Sequence, residues 1–149
     1  GGLTFVCDDQ EAAKNVLGQL KATVRRIYSS PPTTGALLVD NVLNNAELTA
    51  TWEAELADMR QRIAKMRDIL FDQLSKAMPE RDFTYLVKQQ GMFSYTGLSA
   101  KQVDILKDQY GIYLVRSGRM CVAGLNLHNI DFVAKSIAEV IKATETANA

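Results

Sequence analysis

The chain has 149 residues, 47% hydrophobic and 23% charged, with 17 Lys plus Arg against 17 Asp plus Glu. That length gives one domain's worth of chain with room for a core, and the balanced charge excludes steering towards nucleic acid or an anionic membrane. No apolar run reaches the ~18 residues of a membrane span, no signal-peptide pattern opens the chain, and two cysteines make neither a disulfide framework nor a metal site.

The chain opens with Gly1-Gly2 directly before an apolar run and has no initiator Met, which predicts a truncated or clipped chain. Leu3 to Cys7 reads as a short buried strand, and Asp8 with Glu11 three residues later reads as a variant capping box. Val16, Leu20 and Val24 recur at fours and predict an amphipathic helix from Gln10 to about Tyr28. Ser29-Ser30-Pro31-Pro32 ends it, because two prolines cannot continue a helix. A second short helix starts near Thr33 with Leu37, Leu38, Val42 and Leu43 on one face, and Asn44 with Glu47 restarts a cap.

Leu48, Trp52, Leu56, Met59, Ile63, Met66, Leu70 and Leu74 then form a single helical stripe. A helix from Ala46 to Ala77 is roughly 48 Å long at 1.5 Å per residue, more than a small domain needs, and so predicts a bridge between two bodies. Its charges, with Asp58 four residues before Arg62, read as a solvated face. Acidic residues interleave with Arg60, Arg62, Lys65 and Arg67, which argues against a phosphate-binding stripe.

Phe83 to Val87 and Met92 to Tyr95 read as strands separated by a turn at Gly91. Ser99 with Gln102 is a capping box for a helix carrying Val103, Leu106 and Tyr110, and Gly111 stands where a C′ glycine belongs. Two further strands, Ile112 to Val115 and Met120 to Ala123, flank a kink or turn at Ser117-Gly118. A last helix capped near Asn126 carries Ile130, Val133, Ile137, Val140 and Ile141, and Thr144 to Ala149 reads as a fraying tail. The order predicts an α/β fold, with an α+β small domain in which a small sheet has helices packed on one face. A long bridging helix precedes it, and a strand-helix piece of another body comes first.

Few residues offer catalysis. His128, the only histidine, reads as a surface cap in a polar stretch, and no metal cluster, phosphate loop or apolar carboxylate pair appears. Cys7 and Cys121 read as small buried hydrophobes of a reducing cytoplasm. Arginine remains. Arg119, beside an apolar strand, is either a structural ion-pair partner or a fork for a carboxylate, and Arg25 ends the first helix.

Four runs resemble one family in order and spacing. They are Tyr28-Ser29-Ser30-Pro31-Pro32 with Gly35; Glu55-Leu56 with Met59-Arg60-Gln61-Arg62-Ile63; Gly91 to Leu98; and Ser117-Gly118-Arg119 with Ala123-Gly124-Leu125. Together they resemble the C-terminal third of the aspartate and aromatic amino-acid aminotransferases, with wording closest to the bacterial aromatic subgroup. The resemblance implies pyridoxal phosphate as cofactor, amino-acid and 2-oxo-acid substrates, and a cytoplasmic homodimer. It implies that Arg119 clamps the substrate α-carboxylate and that Arg25 takes a distal carboxylate in the neighbouring subunit's site. Phe93 would line the substrate pocket, and Tyr28 and Ser29 would form a turn near the dimer interface. Residues 1–45 would belong to the large cofactor domain, 46–77 to the interdomain helix and 78–149 to the small domain.

Two departures qualify the match. None of the nine lysines lies in the family's Ser-x-Ser-Lys segment, since the Ser75-Lys76 pair falls inside the long helix. By resemblance the chain therefore supplies specificity without the Schiff-base lysine, and alone it would be inactive. Arg116 also stands where the family usually has a small or apolar residue. Two other readings stay open: a non-catalytic carboxylate-binding or regulatory domain, and a helical interaction module built on the long stripe.

Overall fold

The computed structural model describes residues 2–146. The chain divides into two compact units, Gly1–Ala50 and Thr51–Ala149, and the boundary falls inside a helix.

In the first unit, α1 (Gln10–Tyr28) begins at Asp9, whose carboxylate accepts the Ala12 N–H at 2.7 Å. The cap is thus Asp9, one residue later than the expected Asp8. Helix α2 (Thr34–Leu43) ends at Asn44, whose side-chain amide donates to the carbonyl and the carboxylate of Asp40. Its neighbour Asn45 starts the long helix α3 (Ala46–Ala77) by accepting the N–H groups of Glu47 and Leu48. The expected cap at Asn44 moves one residue for a physical reason: Asn44 is already engaged in closing α2.

The expected strand at Leu3 to Cys7 is not formed. A strand needs a neighbour for its backbone groups, and among the described residues nothing pairs with this segment. Leu3 and Val6 lie exposed.

The second unit holds the core. Met66, Leu70 and Leu74 of α3 are buried with Met78, Phe83 and Leu86. The expected stripe is therefore divided: its far half is core, while Trp52, Leu56 and Met59 stay about half exposed. After α3 come α4 (Tyr85–Lys88), β1 (Phe93–Tyr95), α5 (Ala100–Tyr110), β2 (Arg119–Cys121), a 3-10 turn at Val122–Gly124, and α6 (Ile130–Thr146). Strands β1 and β2 pair antiparallel with Ser94 opposite Met120. Helix α6 packs against α5 and buries Ile130, Val133, Ile137 and Ile141.

Two expected strands are absent. At Phe83 to Val87 the Asp82 carboxylate accepts the Thr84 N–H at 2.8 Å, and Leu86 N–H bonds back to Phe83 O, so the chain coils into α4. Phe83 and Leu86, three apart, face the core on one turn. Such a short apolar run does not separate strand from helix by its pattern alone. At Ile112 to Val115 the chain forms no ladder. Val115 instead closes a turn, accepting the Gly118 N–H and donating to Arg119 O. The apolar run at 120–123 leaves the sheet after Cys121 and coils into the 3-10 turn.

The Ser99–Gln102 capping box forms in both directions, and Gly111 ends α5 in the left-handed conformation at φ 66°. Thr144, expected in a fraying tail, belongs to α6 and accepts the Gln102 side-chain amide at 2.8 Å. Residues 147–149 of that expected tail lie outside the described residues.

Candidate functional site

Alternation along β1 and β2 creates a two-sided ribbon. Ser94 and Met120 point into the core, whereas Phe93, Tyr95, Arg119 and Cys121 share the exposed face. Tyr95 stands opposite Arg119 and Phe93 opposite Cys121. The guanidinium carbon of Arg119 lies 4.9 Å from the Phe93 ring centroid, within cation–π reach.

The two arginines of this region have different partners. Arg116 grips Asp104 of α5 with both arms, Nε to Oδ1 at 3.0 Å and Nη2 to Oδ2 at 2.8 Å. That fork holds the Asp104 carboxyl below its ordinary value and raises Arg116. Arg119 has no carboxylate partner among the described residues. Of the two, Arg116 thus makes the structural ion pair.

The turn into β2 depends on Gly118. It is buried at φ 86°, and a Cβ there would stand 2.9 Å from Leu98 O. Thr96 clasps Gly118 O with both its N–H at 2.9 Å and its hydroxyl at 2.8 Å.

Arg25 and the pair Tyr28-Ser29 belong to the first unit. Arg25 lies in the last turn of α1 with its side chain exposed, and its carbonyl accepts the Ser29 N–H at 3.1 Å. Ser29, at φ 62° and ψ −80°, is the only described non-glycine residue with positive φ. Backbone held in so sparse a region clusters at functional turns.

Three side chains around the ribbon were not expected at the site. Arg67, expected on a solvated face, is 5% exposed and donates to Leu86 O, Ser94 Oγ, Gly91 O and Phe93 O at 2.8–3.1 Å. Burial lowers its pKa, and its Nε has no partner. Arg62, rather than pairing with Asp58, donates to Leu125 O at 2.9 Å and Ala123 O at 3.1 Å. Gln89, expected in a turn, bonds the backbone of Tyr95. A signal for Arg67 existed: it lies four residues after Ile63 and three before Leu70, on the buried stripe itself. Cys121, expected buried, is exposed because its register places it on the open face opposite Phe93.

The family model for aminotransferase class I and II matches residues 1–137. The aromatic-amino-acid aminotransferase of Escherichia coli (strain K12) is 60% identical over 141 residues, which are 95% of this chain and 36% of that protein. A psychrophilic aromatic amino acid aminotransferase from Psychrobacter sp. B6, cocrystallised with aspartic acid, superposes with a TM-score of 0.85 at 48% identity. It aligns over 92% of this chain and 34% of its own. The aromatic-amino-acid aminotransferase of Burkholderia pseudomallei, covalently bound to pyridoxal phosphate, gives 0.83 at 49% identity over 91% of this chain and 34% of its own. The chain spans about a third of the length of these relatives.

The open ribbon face offers a guanidinium, a phenol, a phenyl ring and a thiol, and no lysine stands in β1 or β2. This donor set suits a carboxylate. It does not suit covalent capture of an aldehyde cofactor, which needs an amine.

Proposed function

The chain belongs to the aminotransferase class I and II family, and on that premise we propose that Arg119, backed by Phe93, grips the substrate α-carboxylate in the whole protein. The observation that carries this reading is the Arg119 fork on the open ribbon face, beside an aromatic ring and with no carboxylate partner among the described residues. A planar guanidinium takes a carboxylate in two parallel hydrogen bonds, so it fixes orientation as well as charge. The Phe93 ring limits the swing of that fork and gives an apolar wall for the substrate.

The whole protein would move an amino group between an aromatic or acidic amino acid and a 2-oxo acid. Pyridoxal phosphate, when bound, supplies the electron sink for such chemistry. Its anchoring amine would come from outside this chain, whose share is recognition. Residues 1–45 would complete the cofactor domain, 46–77 the interdomain helix and 78–149 the small domain. Arg25 would receive a distal carboxylate in the neighbouring subunit of a homodimer, with Tyr28 and Ser29 at the interface. The free cysteines fit a reducing cytoplasm. A free-standing carboxylate-binding domain draws no support from the comparisons.

In the full-length protein, Arg119→Ala should lower kcat/KM by about a hundredfold or more, the loss of roughly 3 kcal/mol from a charge-assisted pair of hydrogen bonds. Arg119→Lys should recover part of it. Unchanged kcat/KM in Arg119→Ala would overturn the assignment. Arg25→Ala should impair acidic substrates far more than aromatic ones, and equal losses would remove its distal role.

A further inference from the structure

Strand β1 has one strand neighbour and one open edge. Met92 O accepts the Val122 N–H at 2.8 Å and Thr96 N–H donates to Gly118 O at 2.9 Å, so these residues face β2. Gly91, Phe93 and Tyr95 turn their backbone groups the other way, where a third strand would meet them in a larger sheet. Two side chains occupy that place. Arg67 Nη2 donates to Gly91 O and Phe93 O, both at 2.8 Å. Gln89 accepts the Tyr95 N–H at 2.7 Å and donates to Tyr95 O at 3.1 Å. Ser94 Oγ joins the two, accepting from Arg67 at 3.1 Å and donating to Gln89 at 2.7 Å.

We infer that Arg67 and Gln89 are positioning residues for the carboxylate grip: they replace a third strand, fix β1, and through Phe93 fix the Arg119 fork. The inference rests on the proposed carboxylate role of Arg119. Phe93 is the link, because its carbonyl is held by Arg67 while its ring lies 4.9 Å from the Arg119 guanidinium. A methionine at position 67 would fill the space without desolvating a charge. It would, however, leave two β1-edge carbonyls without a donor on that side. The guanidinium spans this edge because its donors diverge in one plane, a geometry that a lysine does not reproduce.

The test is the dissociation constant of maleate, a non-reacting dicarboxylate, for the cofactor-loaded full-length protein and its Gln89→Ala, Arg119→Ala and doubly substituted forms. Gln89 is only partly buried, so its truncation should spare folding better than any change at Arg67. Gln89→Ala should weaken maleate roughly five- to tenfold, the yield of about one hydrogen bond's worth of positioning. In the Arg119→Ala background the same change should add nothing, since it acts only through Arg119. Gln89→Glu, which keeps the acceptor for Tyr95 N–H and Ser94 Oγ, should fall between wild type and Gln89→Ala. Unchanged maleate affinity with a lowered melting temperature in Gln89→Ala would mean a merely structural role and overturn the inference. The Arg119 reading would then stand if Arg119→Ala still lost affinity. An unaffected Arg119→Ala protein would overturn both.

Discussion

Gly118 determines how Arg119 is presented, because any other residue there meets both a disfavoured φ and the Leu98 carbonyl. Gly118→Ala should cost about 1–3 kcal/mol in urea denaturation, the range for backbone held in such a region. The turn at Ser117-Gly118 was legible as a glycine between two apolar runs. The residues alone did not show which arginine is ion-paired; the resemblance marked Arg119 as the clamp and left Arg116 without a role. Arg116 and Arg119 lie three apart with similar surroundings in sequence, and only the fold brings Asp104 of α5 to Arg116. Asp104 makes that pairing testable by pH. Its carboxyl is depressed in the fold by the Arg116 hydrogen bonds, so the contribution is complete above the unfolded carboxyl value of about 3.9 and is lost as pH falls through the lower folded value. The stability difference between wild type and Asp104→Asn should therefore shrink on acidification below that value. A difference independent of pH would contradict the pairing.

Helices declared themselves better than strands. The bounds of α3, the α5 capping box and Gly111 at its end all follow from periodicity and cap chemistry that act within a few residues. Ser99→Ala should accordingly cost about 1 kcal/mol, read as a lower urea midpoint. The strands depend on distant partners, and three of the five expected are missing for that reason: 3–7 has no neighbour, 83–87 coils, and 112–115 forms a turn. Arg67 differs: its place on the stripe between Ile63 and Leu70 signalled burial, but its partners, three carbonyls and the Ser94 hydroxyl, come from segments that only the fold brings to it. Helix α4 gives a second pH handle. Tyr85 donates its hydroxyl to Thr96 O at 2.6 Å, and burial raises its pKa. The neutral phenol is the folded form, so its contribution is complete below about pH 10 and fades as pH climbs through the higher folded value. Tyr85→Phe should remove that alkaline loss, seen as a flatter stability profile above pH 10.

Across the whole chain the apolar surface is unevenly covered. Neither α1 nor α2 has a buried residue, and Leu37, Leu38, Trp52 and Met59 lie 45–64% exposed. Exposed apolar surface of this extent drives association. The isolated chain should show ready acrylamide quenching of Trp52, its only tryptophan, at high dilution and protection as concentration rises. Quenching that stays constant with concentration would mean that this surface remains wet. The family was legible from four short motifs in register: one at the end of α1, one within α3, and two on the paired strands β1 and β2. In the whole protein the Arg119 fork is proposed to receive the substrate carboxylate. The most direct test is a crystal structure of the full-length protein with a bound 2-oxo acid or dicarboxylate. Two carboxylate oxygens should lie within about 3 Å of the Arg119 guanidinium, over the Phe93 ring. A carboxylate bound elsewhere, with Arg119 turned to a protein acid, would contradict that assignment.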